Sequence, residues 1–140
     1  MLNLNNGFQV FFLFFAGKWH LGEDSAYWPE HQGFEINKGG WSKGWPAGGY
    51  FSPWENPRLE SGPEGENLTD RLTDESIRFL EEQGEEPFLL YLSFYTVHTP
   101  LQGKPELIEK YKAKIESEGL DPVAMETTDR EWIKYAPPRG

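Results

Sequence analysis

Two uninterrupted apolar runs set the strongest limit on how this chain can fold. Residues 8–16 read FQVFFLFFA and residues 87–94 read PFLLYLSF. Neither alternates polar with apolar positions, so neither suits a strand with one face in water. Each reads as a strand covered on both faces. Residues 68–83 have a helical period: at about 100° per residue, Leu68, Leu72, Phe79 and Leu80 share one third of the circumference. Arg71, Asp74, Glu75, Arg78, Glu81 and Glu82 take the opposite face, and Gly84 supplies a stop. A second helix is predicted over 105–117. Pro105 suits its first position, Leu107, Ile108, Tyr111 and Ile115 form a stripe, Glu106 and Lys110 stand at i,i+4, and Gly119 closes it. The order strand, long loop, helix, strand, helix implies an α/β fold with a mostly parallel central sheet. Two strands cannot stabilise such a sheet alone. Uncovered apolar faces are therefore expected, and with them a tendency to associate or to fold only in part.

The loop is the second constraint. Residues 23–66 show almost no periodicity and are dense in Gly and Pro. An irregular stretch of that length is usually functional or disordered. Trp28, Trp41, Trp45, Tyr50, Phe51 and Trp54 favour an ordered, packed loop; the tryptophans either fill gaps in a loop-rich shell or stack on sugars. The 140 residues suit one domain rather than two. The net charge of −10 disfavours nucleic acid and anionic membrane surfaces as partners, and an anionic substrate would need a local positive site. With no cysteine, disulfides and thiolate metal sites are excluded and the redox compartment is not readable. The first apolar run falls short of the about 20 residues of a membrane span. It has the apolar character of a signal-peptide core, but no Lys or Arg precedes it, and a buried strand ending at Gly17 is the better reading.

In open α/β sheets, ligands gather beyond the carboxyl ends of the strands. The first run leads into Gly17-Lys18-Trp19-His20-Leu21-Gly22 and the second into Tyr95-Thr96-Val97-His98-Thr99-Pro100. If the strands are neighbours, Lys18, His20 and His98 converge on one small site. A cation with two imidazoles can bind an anion and move a proton near neutral pH. The plainer readings are a solvated lysine and histidines that serve as structural hydrogen-bond partners. His31 reads as a loop packing residue. A zinc site of His20, His31 and His98 is conceivable, but the spacing matches no known ligand pattern. Asn67-Leu68-Thr69 fits a glycosylation sequon and also opens the first helix.

GKWHLG at residues 17–22 resembles the second signature of the type I, formylglycine-dependent sulfatases. The resemblance continues through YWPEHQGF (27–34), GGYFSPWENPRL (48–59), NLTDRLTDESIRFLEE (67–82) and PFLLYLSFYTVHTPLQGKPELIEKY (87–111), so it covers about residues 17–115. It implies a partial alkaline-phosphatase-like sandwich, with residues 1–140 forming a single incomplete catalytic domain. It also implies hydrolysis of sulfate esters of glycans or aryl alcohols, a formylglycine nucleophile and one calcium ion. Carried over by position, Lys18 contacts the sulfate, His20 holds the hydrated formylglycine, and His98 contacts the bridging oxygen and protonates the leaving group. The family's C/S-x-P-x-R nucleophile motif is absent from these residues. The resemblance places the calcium-binding aspartates upstream and an Asp-Asn pair downstream of them, so no metal ligand is assigned here. The expectation is a chain without turnover, whose full-length relative is periplasmic or secreted. The alternatives are a non-catalytic module that binds sulfated glycans, and a phosphoryl-transfer relative of the same superfamily.

Overall fold

The structure, a computed structural model, describes residues 12–120. The chain divides into two compact units, residues 1–98 and 99–140. In the first, β1 (Phe12–Gly17), β2 (Ile36–Lys38), helix α1 (Leu68–Gln83) and β3 (Phe88–Ser93) are the main elements, with 3-10 turns at Ser25–Tyr27 and Pro29–His31. In the second, α2 spans Pro105–Ser117. Residues 8–11 of the first apolar run lie outside the described residues.

The sheet is parallel throughout, in the order β2-β1-β3. Central β1 pairs Phe14 with Ile36 on one side and Phe12 with Phe88 on the other. The expected α/β class with a parallel sheet is thus what forms. β2 was not legible in the sequence. It is short, it runs into Gly39-Gly40, and it is held by pairing with a distant strand, which no local period records.

Alternation along β1 divides the two faces. On one face Phe14 stacks on Phe79 of α1, with ring centroids 4.5 Å apart. Leu68 and Leu72 from α1, and Tyr50, Trp54 and Leu59 from the loop, complete that core. On the other face Phe15 stacks on Tyr91 at 5.4 Å and meets Trp19 and Phe34 edge-on at 5.1 and 5.5 Å. Both faces of β1 are therefore covered over Phe14–Gly17. β3 corrects the expectation of a second doubly covered strand. Its outer edge has no partner strand among the described residues, and Leu89 and Tyr91 stay about half exposed.

Helix α1 starts at Asn67, whose Oδ1 accepts from the Thr69 N–H at 3.0 Å. That bond satisfies one of the open donors of the first turn. The buried face differs from the periodic reading in two places: Leu80 is 44% exposed, and Glu75 is buried. Ion pairs explain Glu75. Its carboxylate meets Lys38 at 3.1 Å and both Arg71 and Arg78 at 3.1 Å. A buried charge persists only when paired in this way. Helix α2 forms over the expected span, but it buries no residue, and Glu106 and Lys110 do not pair. Lys110 lies over the Tyr111 ring instead.

The loop is ordered by its own side chains and carbonyls. Trp54 donates through Nε1 to the Leu59 carbonyl, Ser52 Oγ to the Gly62 carbonyl, and the Leu68 N–H to the Tyr50 carbonyl. No helix among the described residues is long and apolar enough to cross a membrane.

Candidate active site

Because β1 and β3 are adjacent and parallel, the segments that follow them leave the same edge of the sheet. The junction is very tight. The Lys18 N–H donates to the Ser93 carbonyl at 2.7 Å. Gly17 has φ +109°, and a Cβ there would fall 1.7 Å from the Ser93 carbonyl oxygen. Only glycine permits both the dihedral and the approach. The glycine of GKWHLG therefore brings the ends of the two strands into contact.

Beyond this point the segment splits its side chains. The Trp19 ring joins the aromatic cluster around Phe15, and its Nε1 donates to the Tyr27 carbonyl at 2.7 Å. Lys18 is half-buried and His20 is exposed. His20 has φ +61° and is the only non-glycine residue with a positive φ among the described residues. Such dihedrals are uncommon for a residue with a Cβ, and they cluster at functional sites. The His20 N–H donates to the Trp41 carbonyl at 3.0 Å.

His98 follows β3 in a turn closed by its N–H on the Tyr95 carbonyl at 2.9 Å. Two buried tyrosines hold that turn. The Tyr50 hydroxyl reaches the Tyr95 and His98 carbonyls at 2.8 and 3.0 Å, and the Tyr95 hydroxyl donates to the Gly39 carbonyl at 2.8 Å. Burial pushes the Tyr95 phenol up to about 12, against the pull of hydrogen bonds from Trp41 and Asn56. Burial also raises Tyr50, opposed by its bond to the His98 backbone. Both phenols are neutral donors throughout the physiological range.

The edge thus carries a cation and two imidazoles, Lys18, His20 and His98, on segments locked to one another through backbone. An ammonium can pair with an oxyanion, and an exposed imidazole can give or take a proton near neutral pH. His31 lies in the turn at Pro29–His31 and is exposed, so it is not the packing residue expected of it. Among the described residues no group of three or more His, Asp or Glu side chains could hold a metal ion. A zinc site of the three histidines is therefore not formed, and these residues do not fit a calcium ion. Sequence reasoning missed the support supplied by Trp41 and Tyr50. Their only signal is the pair of glycine doublets beside Trp41 and Tyr50, which say that the backbone is crowded without saying by what.

Similarity to known proteins agrees with this architecture. The chain is 30% identical over 106 residues to an arylsulfatase of Hemicentrotus pulcherrimus, an alignment that takes in 61% of this chain and 19% of that protein. It superposes on the crystal structure of Ps i-CgsB in complex with k-i-k-neocarrahexaose with a TM-score of 0.57 and 26% identity, covering 72% of this chain and 27% of that one. The chain thus spans from about a fifth to a little over a quarter of the length of these relatives. Residues 5–121, which include both strand ends and the three candidate residues, match the sulfatase family, and the chain belongs to it.

Proposed function

We propose that residues 17–98 form the sulfate-handling edge of a sulfatase site, acting on sulfate esters of carbohydrates or aryl alcohols. The junction of β1 with β3 carries this reading: Lys18 donates its N–H to Ser93, so Lys18, His20 and His98 leave one edge together. The Lys18 ammonium pairs with a sulfate oxygen and offsets part of the repulsion that a chain of net charge −10 exerts on an anion. Where the full-length protein supplies an attacking hydroxyl, which these residues do not, that oxygen would bond to sulfur as the ester S–O bond breaks, and His98, as imidazolium, would give its proton to the bridging oxygen so that the alcohol leaves neutral. His20, as neutral imidazole, accepts a hydrogen bond from a hydroxyl on the far side of sulfur. The substrate class is supported by the relatives, one an arylsulfatase and one crystallised with a neocarrahexaose.

Residues 1–140 contain no cysteine and no C/S-x-P-x-R run. For these residues alone we therefore propose sulfate binding without turnover, which is also what a sulfated-glycan-binding module would do. Calorimetric titration with inorganic sulfate and with a sulfated oligosaccharide should show binding that weakens at least about tenfold in Lys18→Ala, the loss expected for one charge-assisted contact. Absence of binding would sink the site. Release of a chromogenic alcohol from its aryl sulfate should not exceed that of a His98→Ala control. Turnover above the control would refute the claim of inactivity and favour catalysis over mere binding.

A further inference from the structure

The loop between β2 and α1 touches both imidazole-bearing segments, and it does so through a few specific contacts. Gly44 is the clearest case. A Cβ at Gly44 would fall 2.3 Å from His20 Nδ1 and 2.8 Å from its Cε1 and Cγ. Gly44 is not among the glycines with positive φ, so its backbone conformation is open to any residue. The absent side chain therefore serves to make room for the His20 ring and not to permit a dihedral. The Trp41 carbonyl, from the same loop, takes the His20 N–H at 3.0 Å and supports a backbone that would otherwise resist φ +61°. The His98 turn is held in the same manner. The Tyr50 hydroxyl has one proton to share between the Tyr95 carbonyl, which also accepts the His98 N–H, and the part-buried His98 carbonyl, and a Phe at that position would remove both contacts between the loop and the turn.

From these contacts we infer that Gly44 and Tyr50 are positioning residues, Gly44 seating the His20 imidazole and Tyr50 fixing the turn that carries His98. The loop is then a template that sets the two imidazoles independently, one by shape and the other by a hydrogen bond. What the imidazoles do with a sulfate ester rests on the proposed function; the seating itself does not.

The chain has three histidines, so the imidazole Cε1–H region of its NMR spectrum contains only His20, His31 and His98. Gly44→Ala should displace the His20 signal by well more than a line width and leave His31 and His98 in place. Tyr50→Phe should displace His98 and leave His20. A folded Gly44→Ala chain with an unmoved His20 signal, or variants that move all three signals alike, would overturn the proposal. If Gly44→Ala unfolds the chain, the double variant His20→Ala/Gly44→Ala decides. Recovery of the fold on removing the ring supports the seating, and persistent unfolding refutes it. Titrating the unsubstituted chain with inorganic sulfate tests the other reading separately. If neither His20 nor His98 responds, the sulfate site fails while the seating stands.

Discussion

The two helices have similar apolar patterning and opposite fates. Both show an apolar stripe at helical spacing, both start and stop close to their expected residues, and both carry glutamate and lysine or arginine on the remaining face. Yet α1 buries Leu68, Leu72 and Phe79 in the sheet core, whereas α2 leaves Leu107, Ile108 and Tyr111 between 42% and 56% exposed. The α1 stripe meets an aromatic partner, Phe79 against Phe14, and a loop that closes over it with Tyr50 and Trp54. Within its own unit α2 buries nothing. Periodicity specifies which face of a helix is apolar, and only tertiary partners determine whether that face is worth several kcal/mol or close to nothing.

The largest expected effect tests the buried side of this comparison. Leu72 is wholly buried at the centre of the α1 stripe. Leu72→Ala should cost about 2–5 kcal/mol, from lost transfer energy plus the cavity left behind. Urea unfolding read by tryptophan fluorescence measures it. A cost below about 1 kcal/mol would mean that α1 is no better packed than α2.

Glu75 gives the next effect and one with a pH signature. Burial alone would raise its carboxyl. The Lys38 hydrogen bond and the charges of Lys38, Arg78 and Arg71 outweigh that and hold it below its usual 4.5. A carboxylate lowered on folding contributes stability above its unfolded value and loses it as pH falls through the folded one. Glu75→Gln should therefore destabilise at pH 7 by about 1–3 kcal/mol, less than a fully buried pair would give because Lys38 and Arg78 are partly solvated. The gap between variant and parent should narrow as pH drops below 4.5. A gap independent of pH would remove the ion pairs as its cause.

The helix N-termini sharpen the comparison at a smaller scale. Asn67 caps α1 through its side chain, whereas Lys104 opens α2 with no side-chain cap bond. Asn67→Ala should cost about 1 kcal/mol. The same side chain belongs to the Asn67-Leu68-Thr69 sequon, where a glycan would attach through Nδ2 and leave the capping Oδ1 an acceptor.

What could be read from the sequence divides in the same way between local and distant causes. The apolar runs placed β1 and β3, and their ends placed Lys18, His20 and His98, because a strand's burial and its exit residue are encoded side by side. The burial of Glu75 was not readable, since its partner Lys38 lies on β2 and a periodic count sees only a charge on the polar face. The short β2 depends on pairing with β1. Leu89 and Tyr91 stay half exposed because, among the described residues, little covers their face of β3 and no strand flanks it, which composition cannot reveal. The seating of His20 by Gly44 was invisible for the same reason: a glycine shows that something is close, and only the fold shows that it is an imidazole.

The smallest effect on stability belongs to α2, and it separates packing from association. Ile108 is 42% exposed, and within its unit its side chain approaches Gly103, which supplies no side chain to pack against. Ile108→Ala should change the unfolding free energy of the chain by less than about 0.5 kcal/mol. Exposed apolar stripes nevertheless drive association when several lie side by side, and Leu107 and Tyr111 flank Ile108 on the same face. Replacing Leu107, Ile108 and Tyr111 together by polar residues should therefore lower the sedimentation coefficient of the chain at micromolar concentration while leaving its urea midpoint unchanged. A fall in the midpoint comparable to that of Leu72→Ala would mean that the α2 stripe is packed as firmly as that of α1, and the contrast between the two helices would disappear.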